Sequence, residues 1–263
     1  MRYALGIEYD GAKFFGWQRQ SHASSVQQCV EESLAKVANH AVRVTCAGRT
    51  DTGVHARGQV VHFDSQSERS SRQWILGINS NLPDAVRVLW VREVDDSFHA
   101  RFSAYSRSYR YSLLNRWVRP ALGVSYYGWC RKSLDVPRMH EAAQVLKGRH
   151  DFSAFRSSGC SAQHAVREIQ SIHVTRDGDF VNIDIIANAF LYHMVRNIVG
   201  SLISVGKGEN SSQWFTDVFL GQDRALAGVT AEPQGLYFMG VRYDERYQLP
   251  ESAVPFPFES KKP

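Results

Sequence analysis

The chain has 263 residues, 43% of them hydrophobic, and carries 31 Lys+Arg against 26 Asp+Glu, for a net charge of +5 and a pI near 9.1. That length exceeds one average domain of roughly 150 residues, so one large core or two small ones can form without staples, and the basic excess favours a polyanionic partner. The four cysteines, Cys29, Cys46, Cys130 and Cys160, are widely spaced, with no CxxC pair and no histidines at zinc-finger spacing; this pattern indicates neither a disulfide framework nor a structural metal and fits a reducing cytoplasm.

Met1 to Asp10 reads as an alternating strand, over Tyr3 to Tyr9, and not as a signal peptide. No apolar run approaches the roughly 20 residues of a membrane helix, so a soluble, untargeted chain is expected. Ser25-Val26-Gln27-Gln28 is a capping-box pattern, and Val26, Val30, Leu34 and Val37 follow at helical spacing. Strands are expected at Val42 to Cys46 and Gln59 to Phe63, a helix at Arg72 to Ile78 before Asn81-Leu82-Pro83, and a strand at Val86 to Val94. The first half is therefore a β-α-β-β-α-β alternation.

The second half echoes it. Strand Tyr109 to Leu114 precedes a helix capped by Asp135, with Pro137 in its first turn and Gly148 beyond its end. Strands Val166 to Thr175 and Phe180 to Ile186 are joined by the hairpin signal Arg176-Asp177-Gly178-Asp179. A long apolar helix, Phe190 to Val205, a shorter one near Gln213 to Leu220 and a strand Gly235 to Tyr243 close the pattern. No Pro/Gly/Ser-rich linker separates the halves, so the expected division is residues 1–104, residues 105–248, and a poorly ordered Pro-rich tail, residues 249–263.

Ala47-Gly48-Arg49-Thr50-Asp51-Thr52-Gly53-Val54-His55-Ala56 is the stretch richest in chemistry. The alternation around it makes it a loop between two strands. It sets one carboxylate between two glycines and beside an arginine, as a reactive carboxylate would be displayed. An ordinary Gly-Asp turn is the plain alternative, but Thr50, Thr52 and His55 supply more hydrogen-bonding groups than one turn needs.

Tyr9-Asp10-Gly11, Phe15-Gly16-Trp17-Gln18, the Ala47 to His55 loop, Asn81-Leu82-Pro83, Phe98-His99-Ala100-Arg101-Phe102, Tyr109-Arg110-Tyr111 and His193-Met194-Val195-Arg196-Asn197 occur in this order. Together they closely resemble the tRNA pseudouridine synthase A (TruA) family, over about Tyr3 to Tyr247. The resemblance implies an α+β enzyme of two related RRM-like or ferredoxin-like halves, with a mostly antiparallel sheet flanked by helices and a basic central cleft. It also implies isomerisation of uridine to pseudouridine at positions 38, 39 and 40 of the tRNA anticodon stem-loop, without metal or cofactor. The partner is then tRNA and not DNA or a membrane, and the enzyme a homodimer.

Residue by residue, the resemblance makes Asp51 the nucleophile on an extruded uridine and Arg196 the cation that offsets its burial under the base. Tyr109 matches the family's active-site tyrosine, a catalytic candidate that packs on the target base and is placed to move a proton. A phenol with a pKa of about 10 is a poor free base, so stacking is the safer role. Arg49 matches the loop arginine that fills the gap left by the extruded nucleotide, a step costing on the order of a few kcal/mol. Phe98, His99 and Arg101 mix basic and aromatic character as an RNA groove does, and Leu236 lies in a segment resembling the pocket wall of the final strand.

Two departures from the family pattern stand out. Thr52 replaces a common alanine, and Gly159 to Ala165 lacks the usual basic-threonine pair. Two other readings compete. A noncatalytic RNA-binding protein or tRNA chaperone would have no need of the Arg49/Asp51 loop, and the RRM signature sequence is missing. A hydrolase with an Asp nucleophile would require a second carboxylate about 5 Å away, and none stands out.

Overall fold

The computed structural model describes residues 1–250. Of the expected tail only Leu249 and Pro250 are among them; the rest lies outside the described residues. The chain divides into two compact units, one of Met1–Arg107 with the chain from Tyr237 onward, the other of Ser108–Leu236.

In the first unit β1 (Arg2–Tyr9), α1 (Val26–Ala38), β2 (Thr45–Cys46), β3 (His55–Asp64), α2 (Ser71–Asn79) and β4 (Val86–Val94) follow the expected alternation. β4 and β3 flank β1, and both pair with it antiparallel. The alternating apolar side chains of these strands bury one face under the helices, where Trp74 of α2 packs against Tyr3 and Phe63 at centroid distances of 5.5 and 5.3 Å. Ser25 caps α1 by accepting from the Gln28 amide. Gln28 does not close the expected box, because its side chain donates to Glu32. The reciprocal box forms at α2 instead, between Ser70 and Gln73.

Three expectations change here. β2 is two residues long and not five: Val42 and Val44 are buried as their alternation requires, but the Val44 amide donates to the buried Glu31 carboxylate rather than to a strand. β3 begins four residues earlier than expected, since His55 and Ala56 pair in parallel with Tyr237 and Phe238. Those two residues belong to the last strand, which the sequence alone assigns to the second half.

The second unit holds most of β5 (Ala104–Asn115), then β6 (Gly128–Cys130), α3 (Val136–Ala143), β7 (Gly148–Asp151), β8 (Val166–Asp177), β9 (Phe180–Ala187), α4 (Met194–Gly206) and α5 (Ser212–Gly221). The final strand, β10 (Leu236–Tyr243), returns to the first unit from Tyr237 on. The sheet order is β5-β9-β8-β7, and β6 runs parallel to β5. A stack of Phe152, Phe155, Phe215 and Phe219 fills the space among the helices and the sheet.

Asp135 caps α3 as read, but the helix stops at Ala143, and Gly148, at φ 101°, opens the unforeseen β7. α4 starts four residues later than expected, because His193 adopts φ 59° and becomes its N-cap. Phe190 and Leu191 therefore precede the helix. The fold is α+β, mostly antiparallel with parallel pairs at β3/β10 and β5/β6.

Candidate active site

The loop between β2 and β3 is held along its backbone and by several of its side chains. The Ala47 amide donates to the Val60 carbonyl at 2.8 Å, and the Gly48 carbonyl accepts from Gln59 Nε2 at 2.6 Å. Thr50 is buried; its hydroxyl lies 2.7 Å from Tyr9 Oη, and its carbonyl accepts from the Trp17 amide at 3.0 Å. The Asp51 carbonyl takes the Val54 amide at 3.1 Å, closing a turn in which Gly53 sits at φ 79°. At the exit, His55 Nδ1 accepts from the Gly11 amide at 3.1 Å, and its ring stacks on Tyr237 at 4.8 Å.

Asp51 is half-exposed, while Arg49 and Thr52 are exposed. The structure thus presents a carboxylate and a guanidinium on a backbone with little freedom to move, which is the preorganisation that nucleophilic catalysis needs.

Burial raises the phenol of Tyr9 and pushes the Cys46 thiol up to about 12, against the pull of Arg49 and Arg101. Both arginines therefore act on the same small region next to the loop. Arg107, which the sequence reading passed over, is only 8% exposed and donates to the carbonyls of Ala47, Ala104 and Arg101. It ties the base of the Asp51 loop to the Phe98–Phe102 segment. Its signal was an arginine at an inward position of an alternating strand. Thr50→Val should cost about 1–3 kcal/mol in urea unfolding by leaving the Tyr9 hydroxyl only its 3.5 Å contact with Gln59 Nε2, and should lower kcat with little change in KM because it acts through Asp51.

The Phe98–Phe102 segment corrects one expectation. Phe98 is 0% exposed and packs on Tyr243 and Tyr247 at 5.0 and 4.9 Å, so it anchors the segment and has no surface for a ligand. His99 Nδ1 accepts the amides of Arg101 and Phe102, and its ring stacks on Phe102 at 4.3 Å. Arg101 and Phe102 stay exposed, with the guanidinium 5.5 Å from the Phe102 centroid.

His62 Nδ1 accepts the Ala100 amide at 3.1 Å, and burial, with His99 and Arg2 nearby, lowers its pKa to about 4. An unfolded histidine titrates near 6.5, so between about pH 6.5 and 4 the unfolded chain takes up a proton that folded His62 refuses. Stability should fall as pH drops through that window, and His99, also lowered, adds to the slope in the same direction. Urea midpoints at pH 7, 5.5 and 4.5 measure the slope, and His62→Gln should flatten it.

In the second unit Tyr109 is buried in β5, with its ring edge-on to Phe190 at 4.9 Å. Arg196 sits in the first turn of α4, half-buried, with Nε donating to the Ala231 carbonyl at 2.7 Å and its own carbonyl accepting the Ala231 amide at 3.1 Å. A cation there gains nothing from the helix dipole, which favours anions at an N-terminus. Burial raises the neighbouring Tyr111 phenol, against the pull of Arg196. Leu236 is buried, and Gly235 before it lies so close to Ser112 and Tyr111 that a Cβ would meet both at 2.7 Å. Leu236 is thus a core residue. His193 stands at the N-cap of α4, where its side chain bonds Ser157 through Nδ1 at 3.1 Å instead of a helix amide.

No described helix is long and apolar enough to cross a membrane. A family model described as tRNA pseudouridine synthase matches residues 6–103 and 142–244. The chain is 51% identical over 257 residues to the tRNA pseudouridine synthase A of Shewanella piezotolerans, covering 97% of each chain. It is 54% identical over 251 residues to that of Xylella fastidiosa, covering 95% of this chain and 98% of the other. Among solved structures, a chain from a Cbf5-Nop10-Gar1 complex is similar at a TM-score of 0.39 and 12% identity, covering 90% of this chain and 48% of that one, a likeness too low to add to the argument. With identity above half over nearly the whole length, and the Asp51 loop inside the matched region, the chain belongs to the tRNA pseudouridine synthase family.

Proposed function

We propose that this tRNA pseudouridine synthase acts on uridines 38, 39 and 40 of the anticodon stem-loop, with Asp51 as nucleophile on an extruded uridine. The observation that carries the reading is the half-exposed Asp51 on a loop whose neighbours are pinned to Tyr9, Trp17, Gln59 and Gly11. The isomerisation breaks the C1′–N1 bond, turns the uracil and forms C1′–C5. The C5 hydrogen leaves to solvent and N1 takes up a proton. A carboxylate suits the step in which the base is detached, since it stores the reacting fragment covalently until the new bond forms.

Arg196 is the proposed cation that keeps Asp51 ionised when a base covers it, a role supported by a placement that serves its own helix poorly. Tyr109, its ring fixed by Phe190, is proposed to stack on the target base. Exposed Arg49 and Arg101 are proposed to contact the RNA, Arg49 filling the gap left in the stack. The reading extends to a homodimer acting in the cytoplasm.

Tritium release from C5-labelled uridines in tRNA, with mapping of the product positions, tests it. Release confined to positions 38–40 is expected. Release elsewhere overturns the site assignment, and no release from any tRNA overturns the enzyme reading.

A further inference from the structure

The second unit carries a surface that the proposed chemistry does not use. Between β5 and β6 the chain exposes Trp117 at 69%, with Val118 and Leu122, and β6 itself exposes Trp129 at 36%. Both indoles are arranged rather than loose. Trp129 Nε1 donates to the Arg116 carbonyl at 3.0 Å, and the Arg119 guanidinium lies 5.8 Å from its ring. Arg131 sits over Trp117 at 3.5 Å. Beside them a cavity of about 240 Å³ is lined by Trp129, Arg131, Lys132, Ile203, Lys207 and Glu209. Lys207 and Glu209 are 3.8 Å apart, so the lining offers three cations against one carboxylate.

Exposed aromatics on this scale mark a binding surface, and the charge decides the class of partner. A second copy of the chain meeting this face in twofold symmetry would bring Arg119, Arg131, Lys132 and Lys207 against themselves. A polyanion with unsaturated rings matches both features: phosphates neutralise the cations, and bases stack on indoles whose orientation is already set.

We infer that the Trp117–Trp129 face of the second unit is an RNA-contact surface. Arg131, Lys132 and Lys207 take backbone phosphates, and Trp129 stacks an unpaired base. The inference rests on the tRNA reading above but not on Asp51.

Equilibrium binding of fluorescent unmodified tRNA, titrated over a range of salt, tests it with wild type, Trp129→Leu and the double variant Lys132→Gln/Lys207→Gln. Trp129→Leu should weaken binding by roughly 5- to 150-fold, the loss of one stacked base. The double variant, whose exposed or half-exposed side chains leave the fold intact, should lower the steepness of log K against log salt by about 1.4–1.8. Unchanged affinity and salt slope in both variants overturn the inference. So does dissociation of a self-associated form in sedimentation velocity with tRNA affinity per protomer unchanged, which assigns the face to a second copy. Wild-type tritium release is scored separately, so failure of the catalytic reading remains distinguishable from failure of this one.

Discussion

Asp51→Asn is expected to lower single-turnover pseudouridine formation by at least about 10⁴-fold while leaving tRNA affinity within a few-fold of wild type. The amide keeps the shape of the side chain and loses the negative charge that makes it a nucleophile. The loop keeps these anchors in the variant: the Thr50 hydroxyl and carbonyl, the Gly48 carbonyl on Gln59, and the Asp51 main-chain carbonyl on the Val54 amide. A variant that turns over within tenfold of wild type would remove Asp51 from the chemistry. One that loses tRNA binding and turnover together would make it a binding residue. Tritium release and equilibrium binding on the same preparation separate these outcomes.

Gly11→Ala should be a strongly damaging single methyl group in the first unit. A Cβ there would stand 1.9 Å from the Val54 carbonyl oxygen and 2.4 Å from its carbon, both backbone atoms that cannot swing aside. The Val54 amide donates to the Asp51 carbonyl, so relief of the clash must move the turn that displays the carboxylate. Overpacking of this kind costs about 3 kcal/mol or more, and a displacement near 1 Å costs on the order of 10² in rate. Urea unfolding and single-turnover kinetics should therefore both change. Gly221→Ala is the control: a Cβ at Gly221 meets nothing within 4 Å, so stability and rate should stay at wild-type values. Normal kinetics in Gly11→Ala would show that the loop has room the geometry denies it.

Much of the fold was legible because its signals are local. Alternation marked β1 and β4, caps marked α1 and α3, and the Asp-Gly hairpin marked β8 and β9. The misread boundaries depend on partners far away in the chain. Val42 and Val44 have a strand's pattern, yet Glu31 takes the Val44 amide. His55 joins β3 because Tyr237 lies beside it, 182 positions on. His193 ends the run toward α4 at a positive φ that its residue type does not advertise.

Which residues could carry chemistry was already legible in the linear order of residue types. An aspartate between two glycines beside an arginine is a statement about local backbone freedom and charge, and neither requires knowledge of the rest of the chain. Tertiary structure decided which candidates are presented and which are consumed. Phe98 and Leu236 went to the core, since their apolar area is worth more buried than offered to a ligand, while Arg49 and Arg101 stayed exposed beside the loop. It also supplied Arg107, whose donors reach the nearby carbonyls of Ala104 and Arg101 and, through folding, that of Ala47, 60 positions away. A buried guanidinium has to satisfy its donors wherever acceptors converge, and that convergence is long-range geometry that no short stretch of residues encodes.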